Sequence, residues 1–271
     1  MDANRPDDQA ALLDESRRIW DTNADAWDAK MGSGGGFQTV LIEPTASRML
    51  DIQPGERVLD IACGNGIFTR HLAKLGAEVV AADFSPRLIE LAKGRTTENL
   101  DRITYHVADA TSEAELVALA GPEAQPFDAA VCNNAIMDMP VIEPLFRSVA
   151  RLLKSQGRFV FTVMHPCFNG QDVALQAELV DYESAPRYSI KVSRYLSSEV
   201  TKGLAITEQP LQQYYWHRPL HELLNAAFEA GLVMDGLEEP PYRPATPPTS
   251  ALGWSFYDVP PLLFVRLRPK N

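Results

Sequence analysis

Val58-Leu59-Asp60-Ile61-Ala62-Cys63-Gly64-Asn65-Gly66 reads as a short apolar strand running into a glycine turn that opens a helix. Gly64 and Gly66 give the backbone dihedrals closed to other residues and remove Cβ atoms that would hold a ligand off the main chain. A nucleotide-like ligand can therefore lie across that turn. Asp83, 19 residues beyond Gly64, ends the next apolar run, where a carboxylate can accept hydrogen bonds from two ribose hydroxyls. Asp109 repeats that placement one strand later, and with Asp60 three carboxylates line one sheet edge. A dinucleotide site wants a small residue three positions past the second glycine, so that a helix N-terminus can hold pyrophosphate, and Thr69 stands there. Asp60 would also repel a diphosphate, whereas it could orient an ammonium group and favour a sulfonium. The expected ligand is cationic. His165 follows a fifth apolar run, at the edge where open α/β sheets bind ligands. A neutral imidazole there could act as a general base towards a hydroxyl or amine; the alternative is a histidine that holds the turn before Pro166.

The elements that must position these groups alternate. Apolar runs at 58–62, 78–83, 103–107, 127–131 and 158–164 are separated by helix-period stretches near 67–75, 86–93, 112–120 and 142–154. In the last of these Leu145, Val149, Leu152 and Leu153 form a core-facing stripe, Pro144 fits only a first turn, and Gly157 is placed for a turn into strand five. The rhythm then breaks: about fifty residues, 166–216, precede a helix at 219–230 closed by Gly231, and two last strands fall at 233–237 and 262–267. An interval of that length reads as a lid or binding insertion. The Pro-rich 239–248 cannot join a central strand. The predicted fold is a Rossmann-like, doubly wound, mostly parallel seven-stranded sheet with a late antiparallel strand, an N-terminal helical cap and linker over 1–55, and a domain over 56–271 carrying the lid. In the cap, Trp20, Ala24, Trp27 and Met31 share one helical face, either to dock the helix or to cover a ligand, and Gly32 to Gly36 reads as a flexible connection.

Composition narrows the classes. The 271 residues carry 25 Lys+Arg against 36 Asp+Glu, a net charge of −11, which lacks the positive field that phosphate-backbone binding needs. Nucleic acid is not expected as a partner. Cys63, Cys132 and Cys167 cannot all pair and show no CxxC spacing, so they read as reduced thiols in a cytoplasmic protein. No apolar run has the length of a membrane span, the N-terminus shows no export signal, and no His, Asp or Glu trio has metal-ligand spacing.

On VLDIACGNG and the acids behind it, residues 56–165 resemble the class I S-adenosylmethionine-dependent methyltransferases, with Ala62 where many members carry glycine. The resemblance implies that Asp60, Ala62, Gly64, Asn65 and Gly66 surround the methionine part of S-adenosylmethionine, and that Asp83 holds the ribose. It implies Phe84 on the adenine and Asp109 with Ala110 at the adenine edge. Cys132-Asn133-Asn134-Ala135-Ile136-Met137 is similar to the family's fourth motif, placing Asn133 near the sulfonium, and Trp20 to Trp27 to the cap helix of small-molecule members. The implied activity is methyl transfer to a small-molecule acceptor.

Two rivals remain at this level. Asn133-Asn134-Ala135 also resembles the NNA segment of nicotinamide-dependent short-chain reductases, but their Tyr–Lys pair four apart is missing: Tyr182, Tyr188 and Tyr195 are followed at +4 by Pro186, Val192 and Glu199. A non-catalytic S-adenosylmethionine-binding protein is the other. Tyr182, Arg187, Tyr188, Arg194, Tyr195, Tyr214, Tyr215 and Trp216 crowd the insertion, where they can wall a pocket or simply keep a cover closed.

Overall fold

Alternate residues of the first strand feed two different apolar layers, and that division organises the molecule. In a computed structural model, which describes residues 6–32, 34–170, 172–178, 187–245 and 256–270, β1 (Arg57–Ile61) sits centrally in a seven-stranded sheet. Leu59 and Ile61 point to one side, joining Phe146, Val149 and Leu223; Val58 points to the other, joining Leu41, Leu50, Phe68 and Leu72. Helices α5 (Glu113–Ala118), α6 (Glu143–Leu152) and α7 (Leu220–Glu229) cover the first face, and α2 (Glu43–Leu50) and α3 (Ile67–Lys74) the second. Phe146 packs edge-on against Phe159 and Phe161 of the fifth strand, at centroid distances of 6.2 and 5.9 Å.

The remaining strands are β2 (Glu78–Asp83), β3 (Ile103–Val107), β4 (Phe127–Asn133), β5 (Leu153–Met164), β10 (Leu232–Glu238) and β11 (Leu262–Pro269), in the order β10-β11-β5-β4-β1-β2-β3. β1 to β5 pair in parallel, and β11 runs antiparallel to both neighbours, as its late position predicts. The expected turn at Gly157 lies inside β5 as a bulge. Leu153 pairs with Phe127 and Arg158 with Ala129, and a Cβ on Gly157 would lie 2.8 Å from the Lys154 carbonyl oxygen, so the bulge closes only on glycine.

The 1–55 segment is more divided than its composition suggests. Helix α1 (Pro6–Met31) lies against α4 (Pro86–Arg95), whereas a π-helical turn (Gln38–Ile42) and α2 bury Leu41, Ile42, Met49 and Leu50 in the sheet core. The insertion folds as two β-hairpins, β6 (Val173–Glu178) with β7 (Arg187–Val192), and β8 (Val200–Gly203) with β9 (Gln213–Trp216). Tyr214 and Trp216 of β9 pack on Leu12 and Ile19 of α1, so the second hairpin and the cap share one apolar cluster. Tyr182, Ser33 and the 246–248 part of the Pro-rich stretch lie outside the described residues. No helix among the described residues is long and apolar enough to cross a membrane.

Candidate active site

The glycine turn works through two glycines with different tasks. Gly64 takes φ +56 on the wall of a cavity, with the Trp27 indole nitrogen 4.0 Å from where its Cβ would be. Gly66 takes φ +75 at the N-cap of α3, and there a Cβ would meet the Tyr105 hydroxyl at 2.5 Å and Ala92 Cβ at 3.2 Å. Gly66 thus lets α3 pack against β3 and α4, and does not face the ligand space. Ala62 also takes a left-handed φ of +55, the conformation for which glycine is the unstrained choice.

The acids differ in how completely their oxygens are used. Asp83, 4% exposed at the end of β2, accepts Gly64 N on Oδ2 at 2.9 Å and Ser85 N on Oδ1 at 3.0 Å. An ionised carboxylate has about four acceptor sites, so each oxygen keeps one for a ligand hydroxyl. Burial lifts its pKa to about 6, opposed by the two backbone N–H groups and helped by the Asp109 and Asp21 charges. Asp60, 2% exposed, accepts Thr69 Oγ1 at 2.6 Å and has no cationic group paired with it among the described residues; burial, with Asp83 nearby, takes it to about 7. It lies behind the cavity wall. Asp109 accepts Thr111 N at 2.8 Å and Thr111 Oγ1 at 2.7 Å on Oδ1, and Arg17 Nη2 at 2.9 Å on Oδ2, leaving a single free direction.

Helix α1 forms the roof. Trp20 and Trp27 meet edge to face at 5.3 Å, line the cavity, and pack with Ala24 on Phe84 and Leu88. They dock the helix and cover the cavity at once. The adjacent helix face, Arg17, Asp21, Asp25 and Asp28, supplies polar latches: Arg17 to Asp109, Asp21 from Ser85 Oγ at 2.6 Å, Asp25 to Arg87 at 2.7 Å, and Asp28 to Arg95 Nη2 at 2.7 Å. Asn65 Nδ2 donates to Asp28 Oδ1 at 2.8 Å, so its side chain holds the cap and does not line the cavity. Burial raises the Asp28 carboxyl, but the Arg95 and Asn65 bonds outweigh it and leave the pKa low.

Ala62, Gly64, Asp83, Phe84, Asp109, Ala110, Asn133, Trp20 and Trp27 therefore share one cavity, with Asp60, Asn65 and Gly66 supporting it from behind. Asn133 Nδ2 is buried there with no hydrogen-bond partner among the described residues, a donor available to a ligand oxygen.

His165 is placed elsewhere. It is 1% exposed; its Nδ1 accepts Cys167 N at 3.1 Å, and its Nε2 bonds Glu239 Oε1 at 2.7 Å. The ring stacks on Phe168 at 4.5 Å and lines neither of the two main cavities. With one nitrogen accepting a backbone N–H, the other must carry the proton that Glu239 receives. Burial lowers the ring's pKa, partly offset by Glu239. Both ring nitrogens are engaged within the protein, as the turn-holding alternative expects. The glutamate that fixes it lies 74 residues along the chain, beyond reach of local sequence reading. His106 is exposed on β3, the edge strand of the sheet.

A second cavity, of about 200 Å³, opens beyond the carboxyl ends of β4 and β5, with Ile136, Met137, Val163, Leu204, Tyr215 and Trp216 among its lining residues and Asn169, His217 and Arg218 as its polar ones. Among the insertion's aromatics, Tyr215 and Trp216 reach it. Tyr195 accepts Leu220 N, Tyr214 donates to Glu15, and Tyr188 lies on the outer hairpin β6–β7. Between the two cavities lies Asp138, which sequence reading passed over; an acid within the apolar Ile136-Met137-Asp138-Met139-Pro140 was the available signal.

A parallel sheet with its strand order reversing at β1, a glycine turn there and acids closing the next two strands define a nucleoside-binding α/β domain. The chain matches the methyltransferase-domain family over residues 52–231 and belongs to that family. An S-adenosylmethionine-dependent methyltransferase from Mesorhizobium loti is 26% identical and superposes with a TM-score of 0.63, covering 83% of this chain and 96% of that one. A putative S-adenosylmethionine-dependent methyltransferase from Listeria monocytogenes shares the fold at 20% identity, with a TM-score of 0.62 over 84% of this chain and 98% of its own. The ubiquinone biosynthesis O-methyltransferase of Xanthomonas oryzae pv. oryzae is 32% identical over 119 residues, 44% of this chain and 47% of that protein. The match spans about half the length of that curated relative.

Proposed function

We propose that the protein binds S-adenosylmethionine in the cavity under Trp20 and Trp27 and transfers its methyl group to a small molecule seated in the second cavity. The observation that carries this is Asp83, with one acceptor site left on each oxygen, set beside a buried Asp60 that lacks a cationic partner. Two vicinal ribose hydroxyls match the first and a net positive ligand the second; a diphosphate matches neither. Phe84 and Leu88 would flank the adenine, Asp109 would accept its amine, and Asn133 would donate to the methionyl carboxylate. When bound, the sulfonium supplies an electrophilic methyl. The chain's own residues align the acceptor in line with that methyl and exclude water, and such alignment can contribute as much as about 7–11 kcal/mol of barrier reduction. The second cavity's largely apolar lining supports an acceptor with an apolar body.

Calorimetric titration with S-adenosylmethionine, S-adenosylhomocysteine and NADH tests the first half. Binding of the two adenosyl ligands without NADH is expected, and NADH binding alone refutes it. Methyl-labelled cofactor incubated with a metabolite extract tests the second half. A labelled product is expected; tight cofactor binding with no transfer to any metabolite pool favours a sensor.

A further inference from the structure

The turn Ile136–Asp138 after β4 is a wall shared by both cavities. Ile136 and Met137 line the second cavity, whereas Asp138, Met139 and Pro140 line the first. From the acceptor side Arg218 braces it, Nη1 donating to the Ile136 carbonyl at 3.3 Å and Nη2 to the Met139 and Pro140 carbonyls at 2.7 and 2.9 Å. A guanidinium committed to three carbonyls of one turn fixes that turn's shape. Among the described residues the Asp138 carboxylate accepts one side-chain bond, from Gln213 Nε2 to Oδ1 at 3.2 Å. Gln213 is buried, and its neighbour Gln209 ties the β8–β9 loop through Leu211 to Asn23 of α1. The groups around Asp138 are Gln213 and Tyr215 from β9, Asp83 from β2, Cys132 from β4 and Arg218 behind the turn. Burial, reinforced by Asp83, holds the Asp138 carboxyl well above the usual range against the Gln213 bond.

We propose that Asp138, which faces the first cavity from the wall that the turn shares with the second, is the proton acceptor of the transfer, taking the proton from a protic nitrogen or oxygen that an acceptor seated in the second cavity extends past this wall towards the methyl group, with Gln213 as its positioning residue. This rests on the methyl-transfer reading above. The acceptor's N–H or O–H bond breaks and its proton passes to Asp138 Oδ2. The electron pair stays on the heteroatom and forms the bond to the methyl carbon as the carbon–sulfur pair remains on sulfur. The proton then leaves Asp138 for solvent. A carboxyl that burial holds above the usual range takes a proton more readily than an ordinary carboxylate.

Asp138→Asn preserves shape and removes the proton-accepting oxygen. Its affinity for S-adenosylhomocysteine by calorimetry is expected within threefold of wild type, while labelled-methyl transfer to the acceptor pool falls at least about a hundredfold. Gln213→Leu is expected to lower turnover and move the acidic limb of the pH–rate profile upward, because the lost bond favoured the charged carboxylate; a purely structural role lowers turnover without moving that limb. Transfer by Asp138→Asn within threefold of wild type overturns the proposal and leaves cofactor binding standing. A more than tenfold loss of S-adenosylhomocysteine affinity overturns it too, making Asp138 a cofactor ligand. Failure of the wild type to bind S-adenosylhomocysteine overturns the parent reading, and this proposal with it.

Discussion

The two cavities are built in opposite ways. The one beneath the cap takes its polar groups from the ends of β1 to β4, within a few residues of the strands that hold them, and Asp83 is tied to Gly64 across one parallel pair. The one beyond β4 and β5 is closed by residues from the β8–β9 hairpin and the start of α7, and its dividing turn is braced by Arg218 from some eighty positions away. The first shares the stability of the central sheet, whereas the second depends on a two-stranded hairpin leaning on α1, a unit that is marginal by itself.

Gly66→Ala should produce the largest effect, because it combines a left-handed φ with a Cβ 2.5 Å from the Tyr105 hydroxyl. A loss of about 3 kcal/mol of stability is expected by denaturant titration. A loss under about 1 kcal/mol would mean the turn is less rigid than the contrast requires. Next comes Asp83→Ala, expected to weaken adenosyl-ligand binding by about 2 kcal/mol in calorimetry through lost charge-assisted hydrogen bonds. An unchanged affinity would remove the ribose assignment.

Asn23→Leu probes the other half. It deletes two hydrogen bonds to Leu211, each 2.9 Å, from a buried side chain. Hydrogen exchange should accelerate over residues 204–216, with about 1–2 kcal/mol lost locally, while β1 to β3 keep their protection. Uniform loss across the sheet would show that the two halves unfold as one.

The pH dependence follows from Asp60 at about 7 and Asp83 at about 6 in the ligand-free protein. A cationic ligand and ribose hydroxyls favour the ionised forms, so binding lowers both pKa values and releases protons near pH 6–7, and affinity falls as pH drops through about 7 and then 6. Calorimetry in buffers of different ionisation enthalpy reads that release. For the ligand-free fold the sign reverses. These acids bind protons more tightly folded than unfolded, so their contribution to stability grows as pH falls from about 7 towards about 4. Last is Ala62→Gly, expected to change stability by no more than about 1 kcal/mol, with relief of the left-handed φ of +55 offset by greater freedom in the unfolded chain.

The sheet's five parallel strands and the acids at their ends were legible in order and within a few residues, because alternation, β-branching and glycine turns express local free energies. Ala62, Gly64, Asp83, Phe84 and Asp109 inherited their shared cavity from that strand order. The insertion's hairpins were not legible: β6 and β7 are largely exposed, with little apolar alternation to advertise them.

From its sequence alone, then, the protein's sheet, its glycine turn and the chemistry of its first three strand ends were determined, since each rests on neighbours close in the chain. Only the tertiary structure decided that Glu239 occupies His165, that Asn65 and Gly66 support the cavity from behind, and that Asp138 stands between two cavities under Gln213. Those outcomes depend on which distant side chain reaches a polar atom as water leaves, and that competition is settled by packing across loops whose closure costs little more when they are long.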